Sequence, residues 1–417
     1  MFDPAALTAF FTRHAVSSCL LAYSGGLDSH VLLHACARLQ ADHPRLRFRA
    51  LHVDHGLQAD SAAWAMHCQH ICQQLAMPLE IVQLHLRIPA GESLEAVARQ
   101  ARYQVFARHL QTGEMLLTAH HRDDQAETLL LNLLRGSGVD GLAAMPECRD
   151  FTPGYLGRPL LPFGRSELLA YAGQHALHYL HDPSNTNPDF DRNFLRQSVL
   201  PLLQQRWPEV TTTLARAAQW QQESRVLLHE CVQEKMPDLQ GSAPGSLAVS
   251  ALLALDAPLQ KAVVRHWLQQ AGFMPPSAKK LKHVLQDVLL AKADAQPCVA
   301  WPGCEVRRYR DDVFALLPLS LHDVSQCLDW PDPQQPLFIP SLQRWLVLDE
   351  LGAEARERLQ AATQPLTVRF RQGGEKLKLA GQSRELKYWL QDRGVPPWER
   401  ARLPLVYAGE VLVWVCL

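Results

Sequence analysis

A parallel α/β sheet in the first half of the chain, then a helical unit and a small basic α+β module, is predicted from three observations. Short apolar runs alternate with helix-length amphipathic stretches up to about residue 206, the next hundred residues keep a helical period, and the tail returns to strands and turns. Cys19-Leu20-Leu21-Ala22-Tyr23 is the first apolar run; it ends in Ser24-Gly25-Gly26, and Val31, Leu32, Ala35 and Leu39 follow at helical spacing. Phe48-Arg49-Ala50-Leu51-His52-Val53 is the second, ending at Asp54-His55-Gly56 before a helix over 62–75. Leu79–Leu84 and Met115–Ala119 read as further strands, with a helix over 94–110 between them. Parallel neighbours need crossover connections of this length, and ligands of such sheets bind beyond the carboxyl ends of the strands. The Gly loop, Asp54-His55 and His120-His121 all fall there.

Helical patterns over 214–228, 256–270 and 278–290 contain one proline, Pro258, at a first-turn position where it is tolerated. Strand patterns resume after Val299, at Glu305-Val306-Arg307-Arg308-Tyr309, and again from Leu366, where Arg369, Arg371, Lys376, Lys378, Arg384 and Lys387 make the end basic. The expected division is 1–206, 207–320 and 321–417, the last including a proline-containing connection over 331–340.

A chain of 417 residues exceeds one typical core, in keeping with two or three domains. Lys+Arg 41 against Asp+Glu 42 gives no global pull toward nucleic acid, so a polyanion must be met by a local patch. The ten cysteines form no CxxC pair and no secretory pattern is read before them, so reduced thiols and a cytoplasmic location are expected. Cys68 and Cys72 share a helix face without partners at zinc-site spacing, and no apolar run has the length of a membrane span.

Ser24-Gly25-Gly26-Leu27-Asp28-Ser29 lies between strand and helix, where glycines admit an anion to the backbone N–H groups and the helix terminus adds positive potential. The Gly-Lys-Ser/Thr ending of a Walker A loop is missing, so a loop lysine does not transfer the terminal phosphate. Ser24 and Ser29 can donate hydrogen bonds, and Asp28 can hold Mg²⁺ against phosphates. An isolated Gly-Gly would read first as a turn capped by Asp or Ser. Downstream, His120-His121-Arg122-Asp123-Asp124-Gln125-Ala126-Glu127-Thr128 opens a helix that Gly136 stops. Asp124 and Glu127, three apart, share one face, with His120 about a turn before it; acids there also serve as caps that complement the helix dipole.

The loop Ser24–Ser29 resembles the pyrophosphate-binding loop of the N-type ATP pyrophosphatases, a Rossmann-like fold whose members cleave ATP between the α and β phosphates. Together with the string from His120 to Leu142 it resembles the tRNA(Ile)-lysidine synthetase family. Arg158-Pro159-Leu160-Leu161, Asp182-Pro183-Ser184-Asn185, Arg192-Asn193-Phe194-Leu195-Arg196 and Pro201-Leu202-Leu203 follow in that family's order. Val368-Arg369-Phe370-Arg371, Gly373-Gly374-Glu375-Lys376, Leu386-Lys387, Val395-Pro396 and Pro404-Leu405-Val406 resemble the C-terminal tRNA-binding domain of its longer members. From Trp207 to Pro340 the resemblance rests on the helical pattern and Val306–Tyr309.

The resemblance implies a carbon–nitrogen ligase that uses ATP and Mg²⁺ to adenylate the wobble cytidine of tRNA(Ile) bearing a CAU anticodon, then joins free L-lysine to it. It implies pyrophosphate binding by Ser24, Gly25, Gly26, Leu27, Asp28 and Ser29, the metal on Asp28, catalysis by His120, Asp124 and Arg192, and lysine capture by Asp124 and Glu127. Arg196, Arg307, Arg308, Arg371, Lys376 and Lys387 are the expected tRNA contacts; any single one taken alone reads better as a solvated surface charge. His175, His178 and His181 read as surface or core histidines, and the oligomeric state is open, a homodimer included. Other readings are a tRNA thiolase or amidotransferase-type synthetase on the same loop, or a nucleotide- or RNA-binding regulator without chemistry. Thiolases need positioned cysteines, and a regulator needs no carboxylate pair.

Overall fold

The computed structural model describes residues 2–54, 56, 61–84, 94–181, 190–292, 295–379 and 382–417, in two compact units, Met1–Leu227 and Leu228–Leu417. His55 and the Asp182–Asn185 string lie outside the described residues. The first unit runs α1 (Ala5–Arg13), β1 (Ser18–Ala22), α2 (Leu27–Asp42), β2 (Arg47–Asp54), α3 (Ser61–Gln74), β3 (Leu79–Gln83), α4 (Leu94–His109) and β4 (Met115–Leu117). It continues with α5 (Arg122–Leu134), α6 (Val139–Leu142), β5 (Cys148–Phe151), β6 (Gly154–Gly157), α7 (Arg165–Gln174), α8 (Asp191–Phe194), a π-helical turn Leu195–Val199, α9 (Leu200–Arg206) and the start of α10 (Val210–Lys235).

Among the described residues the six strands form one sheet in the order β3-β2-β1-β4-β6-β5, parallel except for the β5–β6 hairpin. Strand order reverses at β1, with β2 on one side and β4 on the other. The crevice at a topological switch point therefore opens beyond Ala22 and Leu117. Alternation sorts the side chains: Cys19, Leu21, Met115 and Leu117 join the core under α1, α2 and α7, whereas Leu20 and Leu116 face Val105 and Phe106 of α4. With both faces covered, β1 is apolar from Cys19 to Ala22, and each of the buried Leu20, Leu21, Leu32 and Leu33 contributes about 2 kcal/mol of burial free energy that fixes the loop between strand and helix.

The edge hairpin is absent from the sequence reading because glycines at both ends of β6 weaken its strand signal. Packing requires them: a Cβ on Gly154 would lie 2.0 Å from the Glu114 carbonyl oxygen, and one on Gly157 2.5 Å from Met115 Sδ.

Behind α2 sits a cluster of imidazoles. His30 is buried with Nδ1 unpartnered, and burial and then His67 and His34 hold it down to about 4; burial and His175 do the same to His34, also to about 4. Neutral in the fold and titrating near 6.5 when unfolded, both contribute stability that is complete above pH 6.5 and is lost as pH falls toward 4. The melting temperature is expected to drop between pH 7 and pH 5, and His30→Gln to flatten that dependence; an unchanged slope in the variant would assign the loss elsewhere.

The second unit begins with β7 (Leu247–Ala248), α11 (Val249–Leu253), α12 (Ala257–Gln270), α13 (Ala278–His283), β8 (Cys298–Trp301), β9 (Cys304–Tyr309) and β10 (Asp312–Leu316). The backbone N–H of Leu259 donates to Asp256 Oδ1 at 3.1 Å, which caps α12 ahead of Pro258. A sheet β7-β10-β9-β8 closes over these helices on Leu252, Val264, Leu268, Val284 and Val306, so strands share the core of the span read as helical.

Then follow β11 (Cys327–Trp330), β12 (Leu337–Ile339), β13 (Arg344–Leu346), α14 (Ala353–Gln360), β14 (Leu366–Arg369), β15 (Lys376–Leu379), β16 (Gln382–Glu385), α15 (Leu386–Asp392), α16 (Pro397–Arg400), β17 (Leu405–Ala408) and β18 (Val411–Val415). The antiparallel sheet β11-β14-β17-β18 places the segment before Leu366 inside the terminal module, because Trp330 packs into its core with Val368 and Val406. No helix of the described residues is long and apolar enough to cross a membrane.

Candidate active site

The loop after β1 is built around two glycines with different jobs. Gly25 has φ +80°, and a Cβ there would meet Leu180 Cδ1 at 2.8 Å and Cys68 Sγ at 3.0 Å. Leu180 N donates to Gly25 O at 2.9 Å, which ties the loop to the chain after α7. Gly26 is the N-cap of α2 and has no side chain to close the helix end, so the first-turn amides of a 16-residue helix stay open toward the crevice. Ser24 and Ser29 lie with their hydroxyls 3.0 Å apart, and Ser29 Oγ also donates to Gly26 O at 3.0 Å. The two hydroxyls thus brace the loop.

Asp28 lies in the first turn of α2 with Oδ1 buried and unpartnered. A lone carboxylate oxygen facing an anion site suits Mg²⁺, which takes one or two protein ligands and draws the rest from phosphate and water. Among the described residues no group of three or more His, Cys, Asp or Glu could hold a metal ion.

His121 joins this loop to the second motif. It is the N-cap residue of α5, 1% exposed, with Nε2 3.7 Å from Asp28 Oδ2 and 3.4 Å from Asp124 Oδ2, and Nδ1 3.5 Å from Asp123 Oδ2. Burial alone would lower its basicity, but Asp123, Asp124 and Asp28 together raise it to about 10, so the ring is an imidazolium at neutral pH. The sequence assigned it no role; Asp123 and Asp124 follow it in the same string, and folding adds Asp28. His120 behaves in the opposite way. Its Nδ1 hydrogen-bonds Thr118 Oγ1 at 2.9 Å, and burial holds it down to about 3, with Asp124 opposing and Arg158, Arg192 and Arg99 assisting. The neighbouring histidines are one neutral and one charged.

Asp124 and Glu127 do share a face of α5, and both are buried, Glu127 completely. Spacing on α5 alone suggests an open acidic pocket; in the structure each acid meets two guanidiniums. Arg192 donates through Nε to Glu127 Oε2 at 2.7 Å and through Nη2 to Asp124 Oδ1 at 3.1 Å. Arg196 donates through Nε to Glu127 Oε1 at 2.6 Å and through Nη2 to Asp124 Oδ1 at 2.9 Å. The π-helical turn after α8 sets the two arginines four residues apart on the same side, matching the three-residue spacing of the acids. Two charges of each sign cancel. Asp124 also accepts from His121 N at 2.9 Å; burial opposes its ionisation, but His121, Arg192, His120 and Arg196 bring it down to about 2.

Ser24–Ser29, His120, Asp124, Glu127, Arg192 and Arg196 therefore come together in the first unit, and Arg196, expected on a tRNA-facing surface, lies in the acid–guanidinium cluster. Arg307, Arg308, Arg371, Lys376 and Lys387 belong to the second unit. Arg307 Nε donates to Glu305 Oε2 at 2.8 Å, and Arg308 donates to the carbonyl oxygens of Leu289, Ala291 and Arg310, which ties up that guanidinium locally. Arg371 lies 3.6 Å from Glu375, while Lys376 and Lys387 are exposed.

Comparison with known proteins matches residues 4–203 to the family described as PP-loop domain, 247–314 to the TilS substrate binding domain and 366–416 to the TilS substrate C-terminal domain. The tRNA(Ile)-lysidine synthase of Xanthomonas axonopodis pv. citri is 46% identical over 94% of this chain and 87% of its own length. That of Coxiella burnetii is 39% identical over 100% and 92%, and that of Escherichia coli O157:H7 41% over 94% and 90%. Among solved structures, the U34-tRNA thiolase NcsA from Methanococcus maripaludis covers 52% of this chain and 79% of its own at 15% identity and a TM-score of 0.42, a distance that carries no functional argument.

Proposed function

The chain belongs to the tRNA(Ile)-lysidine synthase family, and from that premise we propose that it uses ATP to adenylate the wobble cytidine of a CAU anticodon and joins the lysine amine to the same carbon. The observation that carries this reading is His121: one buried imidazolium contacts Asp28 of the phosphate loop and Asp124 of the acid pair, so both half-reactions share one crevice.

A pyrimidine carbonyl oxygen is a poor leaving group, and activation must come first. The oxygen attacks the α-phosphorus and pyrophosphate departs. Open amides of the α2 terminus and the hydroxyls of Ser24 and Ser29, freed from each other, receive the departing negative charge. Asp28 would hold Mg²⁺, which supplies charge neutralisation on the triphosphate when bound. His121, a positive charge between Asp28 and Asp124, attracts both carboxylates and offsets their mutual repulsion.

In the second half-reaction the amine attacks the adenylated carbon and AMP leaves with the oxygen. Asp124 and Glu127 receive the cationic amine, for which the guanidiniums of Arg192 and Arg196 must yield part of their hold. A cationic nitrogen has no lone pair, so before the attack one proton passes to the neutral His120 imidazole or to the Asp124 carboxylate; the proton that the nitrogen still carries after AMP departs stays on the basic product or goes to solvent. Cys68, beside the loop, has its thiol pushed up by burial to about 12 and stays protonated, which leaves it without the thiolate a thiolase would use.

The test mixes protein, Mg-ATP, radiolabelled lysine and a CAU-anticodon transcript. Lysine is expected to become bound to the RNA with release of AMP and pyrophosphate. Formation of ADP and orthophosphate, sulfur transfer, or ATP binding without turnover would each refute the assignment.

A further inference from the structure

Arg158 is a buried cation that the mechanism above does not use. It follows β6 at the carboxyl end of the sheet, and the residue is 4% exposed. Nη1 donates to the Pro146 carbonyl at 2.6 Å, Nε has no partner, and among the described residues no carboxylate pairs with it. Burial holds the guanidinium below its ordinary range, with Tyr103 opposing and Arg149 and Arg99 assisting. A desolvated guanidinium without a counter-ion is costly, which favours an incoming anion.

Its position relates it to the acid pair. Thr118 N donates to Gly157 O at 3.0 Å where β4 pairs with β6, which sets Arg158 one strand over from the segment that carries His120, and Asp124 and Arg158 both act on the His120 imidazole. Arg192 and Arg196 are engaged by Asp124 and Glu127. An amino acid whose amine is taken by the acid pair brings a carboxylate that needs a cation of its own.

We propose that Arg158 receives the α-carboxylate of the amino-acid substrate and is the residue by which the site distinguishes lysine from a plain diamine. The inference rests on the reading of lysine as substrate and extends it to the opposite end of the molecule. A planar fork whose Nε has no partner while Nη1 is held by the Pro146 carbonyl suits a carboxylate, and a site built to pair an ionic group rejects analogues lacking it by about 100-fold or more.

Lysine, lysinamide and cadaverine are compared as amine donors with Mg-ATP and the CAU transcript, for the unmodified protein, Arg158→Met and Arg158→Lys. The unmodified protein is expected to use lysinamide and cadaverine about 100-fold less well than lysine, in kcat/KM. Arg158→Met is expected to raise KM for lysine about 100-fold, leave cadaverine within about twofold and leave KM for ATP unchanged, with Arg158→Lys recovering part of the discrimination. Equal loss with all three amines, or a raised KM for ATP, would assign Arg158 a packing role and overturn the proposal. Should Arg158→Met not fold, the lysinamide comparison on the unmodified protein decides alone: use as good as lysine's sinks the idea. Absence of lysine attachment by the unmodified protein overturns the underlying reading itself, an outcome distinct from attachment without discrimination.

Discussion

Asp124→Asn is expected to lower lysine attachment by about 10³-fold while ATP affinity stays within about twofold. Asp124 Oδ1 accepts from both Arg192 and Arg196, and Oδ2 accepts from the backbone N–H of His121. The amide can keep one of these faces but not both, since its NH₂ group would oppose a donor. Loss of the negative charge leaves Glu127 against two guanidiniums, a net positive cluster that repels a cationic amine. The phosphate loop makes no direct bond to Asp124, only the link through His121, so nucleotide binding survives. Single-turnover incorporation and equilibrium ATP binding separate the two effects; parallel loss of both would remove Asp124 from the amine site.

Gly25→Ala is expected to abolish measurable ATP binding and to cost about 2 kcal/mol of stability, whereas Gly26→Ala is tolerated. At Gly25 an L side chain faces φ +80° and contacts at 2.8 and 3.0 Å with Leu180 and Cys68. The left-handed backbone alone costs about 1–2 kcal/mol. Relief requires moving the turn, and the amides that face the phosphates move with it. A Cβ on Gly26 meets nothing closer than Ser24 Oγ at 3.6 Å. Thermal denaturation and nucleotide titration of the pair provide the comparison; equal behaviour of both variants would mean that the turn tolerates rearrangement.

Much of the first unit was legible because local signals agree there. Apolar runs at 19–23, 48–53 and 115–119 are too short for helices and are flanked by glycines or by helical periods, and the strands appear at those places. Covered on both faces, Cys19–Ala22 and Met115–Leu117 carry no polar alternation that could mislead. The hairpin at 148–157 escaped notice since its glycines answer to Glu114 O and Met115 Sδ, contacts between segments distant along the chain. Trp330 likewise belongs to the terminal module through a pairing with Leu366 that local pattern does not encode.

At the site, residue type and spacing pointed to the loop, to Asp28 as a cation ligand and to Asp124 and Glu127 on a common helix face. By itself the sequence determined the alternation of strand and helix, the glycine turn and which acids lie together, because these follow from steric preference and helical period. The tertiary structure alone decided the charges: the arginines that neutralise the acid pair, the imidazolium at His121 beside a neutral His120, and the unpaired guanidinium of Arg158. Ionisation depends on desolvation and on the neighbours that distant segments bring within a few ångströms, and no local pattern contains either.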